Sequence, residues 1–150
     1  DTTLADECSN LAKKWVEWDV KSPVPFSPND LTSFLPLQIQ DFLGAVLEEN
    51  EFPLLKVKEM QKFYKFDTSN NAEVKFRWLR LCLKSRWEDK VDVALKFVTE
   101  QGRMKYVRPI FRDFYNWKEM RQKAIDVYNK NKDNMMFMTA DAIAKDLHLK

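Results

Sequence analysis

Glycine is nearly absent from this chain, and its scarcity constrains the fold more than any other feature of the sequence. Only Gly44 and Gly102 occur among 150 residues, whereas glycine makes up about 7% of an average protein. Tight hairpin turns and left-handed backbone positions favour glycine, so few of either are expected. Strand-like alternation of apolar and polar residues is also missing, as are Asn-Gly and Asp-Gly turns. The sequence therefore predicts an all-α protein.

Apolar residues instead recur at the spacing of an amphipathic helix. In the first predicted helix, about residues 2 to 18, they fall at i, i+4, i+7, i+8 and i+11. Four further predicted helices have both ends marked: Pro36 to near Asn50, Pro53 to the DTSNN segment, Trp117 to Tyr128, and Thr139 as N-cap to Leu147. Three have only a predicted start: a short helix after Ser27, one capped by Asn70 or Asn71, and one from about Pro109. One more helix is predicted to stop at Gly102. Eight or nine helices joined by short turns suit a two-layer stack of antiparallel pairs, as in armadillo or HEAT superhelices.

The length and the cysteines bear on domain organisation. A chain of 150 residues is the usual size of one protein domain. We therefore interpret residues 1–150 as a single helical domain. Because it begins without Met and already in a helical pattern, we expect it to have been excised from a larger protein. Cys8 and Cys82 lie on apolar helical stripes, so buried free thiols are favoured over a disulfide between them.

Several classes of function lack the residues they need. The 25 Lys and Arg residues nearly balance 23 Asp and Glu, which argues against nucleic acid or an anionic membrane as partner. No apolar run reaches the roughly 18 residues of a membrane span. The single histidine, His148, excludes a Ser-His-Asp triad and a histidine zinc site, and two glycines exclude phosphate-binding loops. We expect the isolated domain to hold no metal or cofactor and not to be an enzyme by itself.

Two features leave alternatives open. The tryptophans lie mostly on apolar stripes, so a place in the core is favoured over a base-stacking platform. Arg77, Arg80 and Lys84, at i, i+3 and i+7, form a basic edge on the most apolar helix. This basic edge is either the lining of a groove or the solvated side of the helix.

A cluster of three cations follows the second glycine, in the segment TEQGRMKYVRP. Cations beyond a helix end interact favourably with the free carbonyls of that helix. This interaction accounts for one of the three cations. With Pro109 expected to open the next helix, residues 103–108 are predicted to be extended or irregular. Arg103 and Lys105, two residues apart, would then point the same way. A guanidinium fork beside an ammonium suits a carboxylate or phosphate, so an anion site competes with a simple helix stop.

Three segments resemble the C-terminal helical domain of the leukotriene A4 hydrolase family: NNAEVKFRWLRLCLKSRWED, VALKFVTEQGRMKYVRPIFRD and the closing AKDLHLK. The similarity is gapless from about Asn70 to Asp113 and weakest in the proline-rich stretch 21 to 53. It implies a parent protein that is a cytosolic zinc aminopeptidase and epoxide hydrolase of leukotriene biosynthesis. The β-rich N-terminal domain and the catalytic domain of such a parent would be absent from this chain.

The resemblance also implies roles for individual residues. In the family, the Arg of the GRMK motif binds the free carboxylate of a peptide or fatty-acid epoxide substrate, with the nearby Lys assisting, and these positions match Arg103 and Lys105. The zinc ligands, an HExxH motif and a distal Glu, would lie in the missing catalytic domain, which would be the partner of this one. The alternative from another class is a free-standing helical-repeat scaffold that binds a protein segment in a groove.

Overall fold

The computed structural model describes residues 2–49, 51–101 and 103–150, and most of them are helical. The α-helices are α1 (Thr2–Glu17), α2 (Pro36–Leu47), α3 (Leu54–Tyr64), α4 (Ala72–Lys84), α5 (Val91–Gln101), α6 (Met104–Asn116), α7 (Arg121–Asn131) and α8 (Phe137–Asp146). Five short 3-10 helices accompany them: Pro28–Leu31, Phe66–Thr68, Glu88–Lys90, Lys118–Met120 and Lys132–Asn134. No strand occurs among the described residues. The all-α prediction is confirmed, while the two-layer armadillo-like arrangement stays a prediction.

The chain divides into two compact units, Asp1–Ser85 and Arg86–Lys150. In the first unit, α2 contacts both α1 and α4. Its core is rich in aromatic rings, among which Trp15, Phe42 and Trp78 are fully buried. Cys8 and Cys82 are both buried, and no disulfide joins them, as predicted.

Hydrogen bonds satisfy the polar ends of several core rings in the first unit. The Trp15 indole donates to the hydroxyl of Tyr64 at 3.1 Å, and that hydroxyl donates to Asp30 at 2.6 Å. The same Asp30 oxygen accepts the backbone N–H of Ser27 at 3.1 Å. Burial and the bond to Asp30 both raise the pKa of the Tyr64 phenol, so the phenol stays protonated. This chain of bonds joins α1, α3 and the first 3-10 helix.

Two helix starts follow the predicted capping chemistry. The Ser27 hydroxyl accepts the Asn29 N–H at 3.2 Å, and the Asp30 carboxylate reaches back to Ser27 in a capping box. The Asn71 side chain accepts the N–H groups of Glu73 and Val74, at 2.9 and 3.2 Å. Of the two candidates for this cap, the structure therefore selects Asn71.

In the second unit, α6 contacts α5, α7 and α8. Its buried residues recur at i, i+1, i+4, i+5 and i+8, which gives it one continuous apolar face: Tyr106, Val107, Ile110, Phe111 and Phe114. This face makes α6 the central helix of the unit.

Some predicted helix boundaries are wrong or lie outside the described residues. Pro109 is inside α6 rather than at its start. Thr139 is buried within α8, which begins at Phe137 with Met136 in the N-cap position. The predicted ends at Asn50 and Gly102 lie outside the described residues.

Candidate functional site

The predicted anion-binding residues lie at the N-terminus of α6. Arg103 is the N-cap residue, with extended backbone (φ −80°, ψ 131°), and its carbonyl accepts the N–H groups of Tyr106 and Val107, both at 3.0 Å. Lys105 is the second residue of the helix, and both cationic side chains are exposed. The predicted extended conformation of residues 103–108 therefore holds at Arg103 and is wrong from Met104 onward.

The apolar face of α6 explains why the helix begins before its proline. An interior proline lacks one helical hydrogen bond and costs about 3 kcal/mol. A helix that began at Pro109 would leave Tyr106 and Val107 outside it, and burying each such side chain contributes about 1.5–3 kcal/mol. Both are buried, at 5% and 1% exposure. The free energy gained by burying Tyr106 and Val107 offsets the cost of an interior proline. The rule that proline opens a helix considers only local sequence and does not include this burial.

The ring of Tyr106 lies within cation–π range of both cations. The Arg103 guanidinium carbon lies 5.7 Å from the ring centroid, and the Lys105 ammonium nitrogen lies 5.1 Å from the same centroid. The ring itself packs edge-on against Phe97, with centroids 5.9 Å apart. Arg103 and Lys105 thus share one aromatic ring as a contact, and the predicted alternation of an extended chain is not what relates them.

Sequence reasoning missed the part played by Tyr106. Part of the signal was present, since an aromatic residue three positions after Arg103 can meet its side chain once a helix begins between them. Because residues 103–108 were predicted to be extended or irregular, contact of the Arg103 and Lys105 side chains with the Tyr106 ring was not expected.

Electrostatics at the start of α6 favour an anion. A helix N-terminus carries a partial positive charge, and its first N–H groups lack helical partners. Within the described residues, the first turn of α6 contains no acidic side chain, and Arg103 makes no side-chain cap hydrogen bond. Two cationic side chains therefore add to the positive end of the dipole, in the arrangement that suits binding of a carboxylate or phosphate.

The third cation of the cluster has a different role. Arg108 donates through Nε and Nη2 to both carboxylate oxygens of Asp146, at 2.9 and 3.1 Å, and Arg112 Nε donates to the same carboxylate at 3.1 Å. Burial raises the pKa of Asp146, but the hydrogen bonds from the two guanidinium groups outweigh burial and hold the pKa below its ordinary value. Arg108 thus joins α6 to α8, and the predicted trio reduces to a pair.

The basic edge of α4 also makes contacts within the protein. Lys84 Nζ donates to the backbone carbonyls of Leu47 and Glu49, at the end of α2. Arg77 donates to the Glu73 carboxylate at 2.9 Å. Lys84 also borders a cavity of about 320 Å³. The edge therefore bonds to the end of α2 and borders a cavity, so neither simple alternative describes it fully.

The tryptophans lie mainly in the core, and the single histidine lies at the surface. Four of the five tryptophans are buried, in agreement with a core role: Trp15, Trp18, Trp78 and Trp117. His148 is exposed and stacks on Tyr115, with ring centroids 4.4 Å apart. Among the described residues, no group of three or more His, Cys, Asp or Glu side chains is placed to hold a metal ion. Nor does the described part of the chain contain a helix long and apolar enough to cross a membrane.

The described part of the chain is an all-helical protein with a cationic pair at the start of α6. A sequence model described as "Leukotriene A4 hydrolase, C-terminal" matches residues 34–147. The chain belongs to this family, which confirms the resemblance seen in the sequence.

Similarity to individual proteins supports the assignment. The chain is 40% identical over 149 residues to leukotriene A4 hydrolase of Xenopus laevis, a match that covers 99% of the chain and 24% of the relative. It is 32% identical over 148 residues to leucine aminopeptidase 2 of Neurospora crassa, covering 98% of the chain and 21% of the relative. The chain thus spans about a quarter of the length of these proteins and corresponds to the C-terminal domain of a longer one.

Solved structures show the same fold. Native leukotriene A4 hydrolase from Saccharomyces cerevisiae matches with a TM-score of 0.89 at 23% identity, over 98% of this chain and 26% of the yeast chain. The yeast enzyme in complex with bestatin matches with a TM-score of 0.88 at 24% identity, over 98% and 26% of the two chains.

Proposed function

We propose that this chain helps to form the substrate cleft of a leukotriene A4 hydrolase-like zinc aminopeptidase, and that Arg103 and Lys105 bind the carboxylate of the substrate. The observation that carries the proposal is the convergence of both cations on the Tyr106 ring, at the positive end of α6. The GRMK motif of the family falls on these residues. The whole protein would act on peptides and on a fatty-acid epoxide, in the cytoplasm.

The two side chains are complementary in chemistry. A guanidinium presents two parallel N–H groups to the two oxygens of a carboxylate, whereas an ammonium adds a compact charge that binds from another direction. The partial charge at the helix N-terminus favours the same anion. A carboxylate held in this way fixes one end of a peptide, and this would orient its other end for reaction.

The catalytic domain of the parent protein would be the partner of this chain and would form the other wall of the cleft. Zinc held there would polarise the scissile carbonyl and activate water. The described residues offer no cluster of metal ligands, so the contribution proposed for this chain is to bind and orient the substrate. The alternative of a free-standing scaffold has less support, because the chain matches only 24% and 21% of the length of its relatives leukotriene A4 hydrolase and leucine aminopeptidase 2.

The test compares two substrates in the full-length protein that contains this chain. Leu-Gly-Gly has a free carboxylate, and Leu-Gly-Gly-amide lacks that charge. We expect Arg103→Ala to lower kcat/KM for the free acid by about a hundredfold, about 2.7 kcal/mol, because one partner of a desolvated ion pair is lost. Activity on the amide should change little, since the amide presents no carboxylate to the pair.

The matched control is Lys96→Ala, which removes an exposed cation from α5. It should leave both substrates unaffected. Equal losses on the acid and the amide in Arg103→Ala, or full activity on both, would contradict the proposed role.

A further inference from the structure

The ring of Tyr106 is the structural element that Arg103 and Lys105 share. We infer that Tyr106 is a positioning residue of the carboxylate site, holding both cations through the face of its ring. This inference rests on the proposed function of the pair. The distances of 5.7 and 5.1 Å from the ring centroid lie within the range of cation–π attraction.

The ring offsets an electrostatic cost of the site. Two cations that contact one ring, at a helix end that is itself positive, repel one another and favour separate conformations in water. The face of an aromatic ring carries partial negative charge, so it attracts both.

The ring is also a fixed platform. Tyr106 is 5% exposed, packs against Phe97 of α5, and donates its backbone N–H to the Arg103 carbonyl. Long cationic side chains lose conformational entropy when they bind a ligand, and a rigid surface beneath them reduces that loss. Contact through the π-face leaves the in-plane N–H groups of a guanidinium available to a carboxylate.

A merely structural role would give different kinetics. If Tyr106 only fills the core beside Phe97, its replacement affects folding, and acid and amide substrates lose activity together. If it positions the cations, the change is confined to substrates with a free carboxylate and appears mainly in KM.

The experiment uses the full-length protein, with Leu-Gly-Gly and its amide as probes. Tyr106→Leu is expected to raise KM for the free acid about three- to tenfold, the fold-change that corresponds to loss of one or two exposed cation–π contacts. KM for the amide and kcat for both should stay within about twofold. Tyr106→Phe keeps the ring face and should retain the wild-type KM.

A series of fluorinated phenylalanines at position 106 keeps the test valid where Tyr106→Leu does not fold. Each added fluorine withdraws charge from the ring face at nearly constant volume, so KM for the free acid should rise stepwise from phenylalanine to its trifluoro form. A flat series, or a rise that is equal for acid and amide, would overturn the inference. Should Arg103→Ala discriminate acid from amide while the series stays flat, the carboxylate site survives without the positioning role. Should Arg103→Ala itself not discriminate, the proposed function fails.

Discussion

Arg108 of α6 holds both carboxylate oxygens of Asp146 of α8, with donor–acceptor distances of 2.9 and 3.1 Å. The Asp146 carboxylate is 8% exposed, and Arg112 supplies a further bond to it. A buried carboxylate with three such bonds links the helix that carries Arg103 and Lys105 to its neighbour. Paired guanidinium groups compensate for the desolvation of this charge.

Asp146→Asn should destabilise the chain by about 2 kcal/mol, because charge-assisted hydrogen bonds are lost and two guanidinium groups lose their partner. The expected destabilisation is smaller than for fully buried charged groups, because the Arg108 and Arg112 side chains are 35% and 49% exposed and solvent screens their charges. Urea unfolding at pH 7 measures the difference. Asp133→Asn, in the exposed 3-10 helix before α8, is the control and should change stability by less than about 0.5 kcal/mol.

The pH dependence of the same pair has a definite sign. The pKa of Asp146 is lowered in the folded chain, so its contribution is complete above the unfolded value of about 3.9 and is lost as the pH falls through the lower, folded value. The stability gap between wild type and Asp146→Asn should therefore narrow below about pH 4. A gap of constant size from pH 7 to pH 3 would contradict this account.

Lys56 is a second buried charge with a structural role. It is 6% exposed, and its ammonium donates to the carbonyls of Trp15 and Val16, at 2.9 and 2.8 Å, where α1 ends. Cations at a helix C-terminus satisfy carbonyls that lack helical partners and interact favourably with the dipole. Burial lowers the pKa of Lys56, and Asp19 opposes that shift in part.

Lys56→Met should cost about 1–3 kcal/mol at pH 7, since two carbonyls lose their donor. Because the folded pKa is lowered, the unfolded chain binds more protons in the alkaline range up to about pH 10.4, and the wild type should gain stability relative to the variant there. Urea unfolding of both proteins from pH 7 to pH 10 checks this. Lys62→Met on the exposed side of α3 should show neither effect, and a gap that shrinks with rising pH would refute the role of Lys56.

Local sequence patterns predicted the helices well because their causes are local. Helical periodicity located the helices, and the capping chemistry of Ser27 and Asn71 marked two of the starts. The pairing of Arg108 with Asp146 joins residues 38 positions apart, and the bonds from Lys56 reach back to α1 over 40 and 41 positions. No periodicity in the sequence encodes such partners, so they become visible only in the fold.

The assignment of the candidate site stays a prediction, and sequence reasoning anticipated only part of its geometry. The clustering of cations beside a helix end pointed to Arg103 and Lys105, and the resemblance to the family implies the same residues. Their relation to Tyr106 was missed because proline was assumed to set the start of α6. Burial of an apolar face is a property of the whole unit, and it outweighed that local preference.

In α6, the preference of proline for a helix start conflicts with burial of the apolar face, and Pro109→Ala tests this conflict directly. Alanine restores an N–H that can donate along the helix, which removes much of the roughly 3 kcal/mol cost of an interior proline. The unfolded chain becomes freer without proline, and this opposes the gain by about 0.4–1 kcal/mol. We expect a net stabilisation of about 1–2 kcal/mol in urea unfolding at pH 7.

Pro36 is the matched control, because it occupies the first position of α2, where the N–H has no helical partner. Pro36→Ala should therefore bring no stabilisation, and an equal gain in both variants would show that the helical bond in α6 is not the cause.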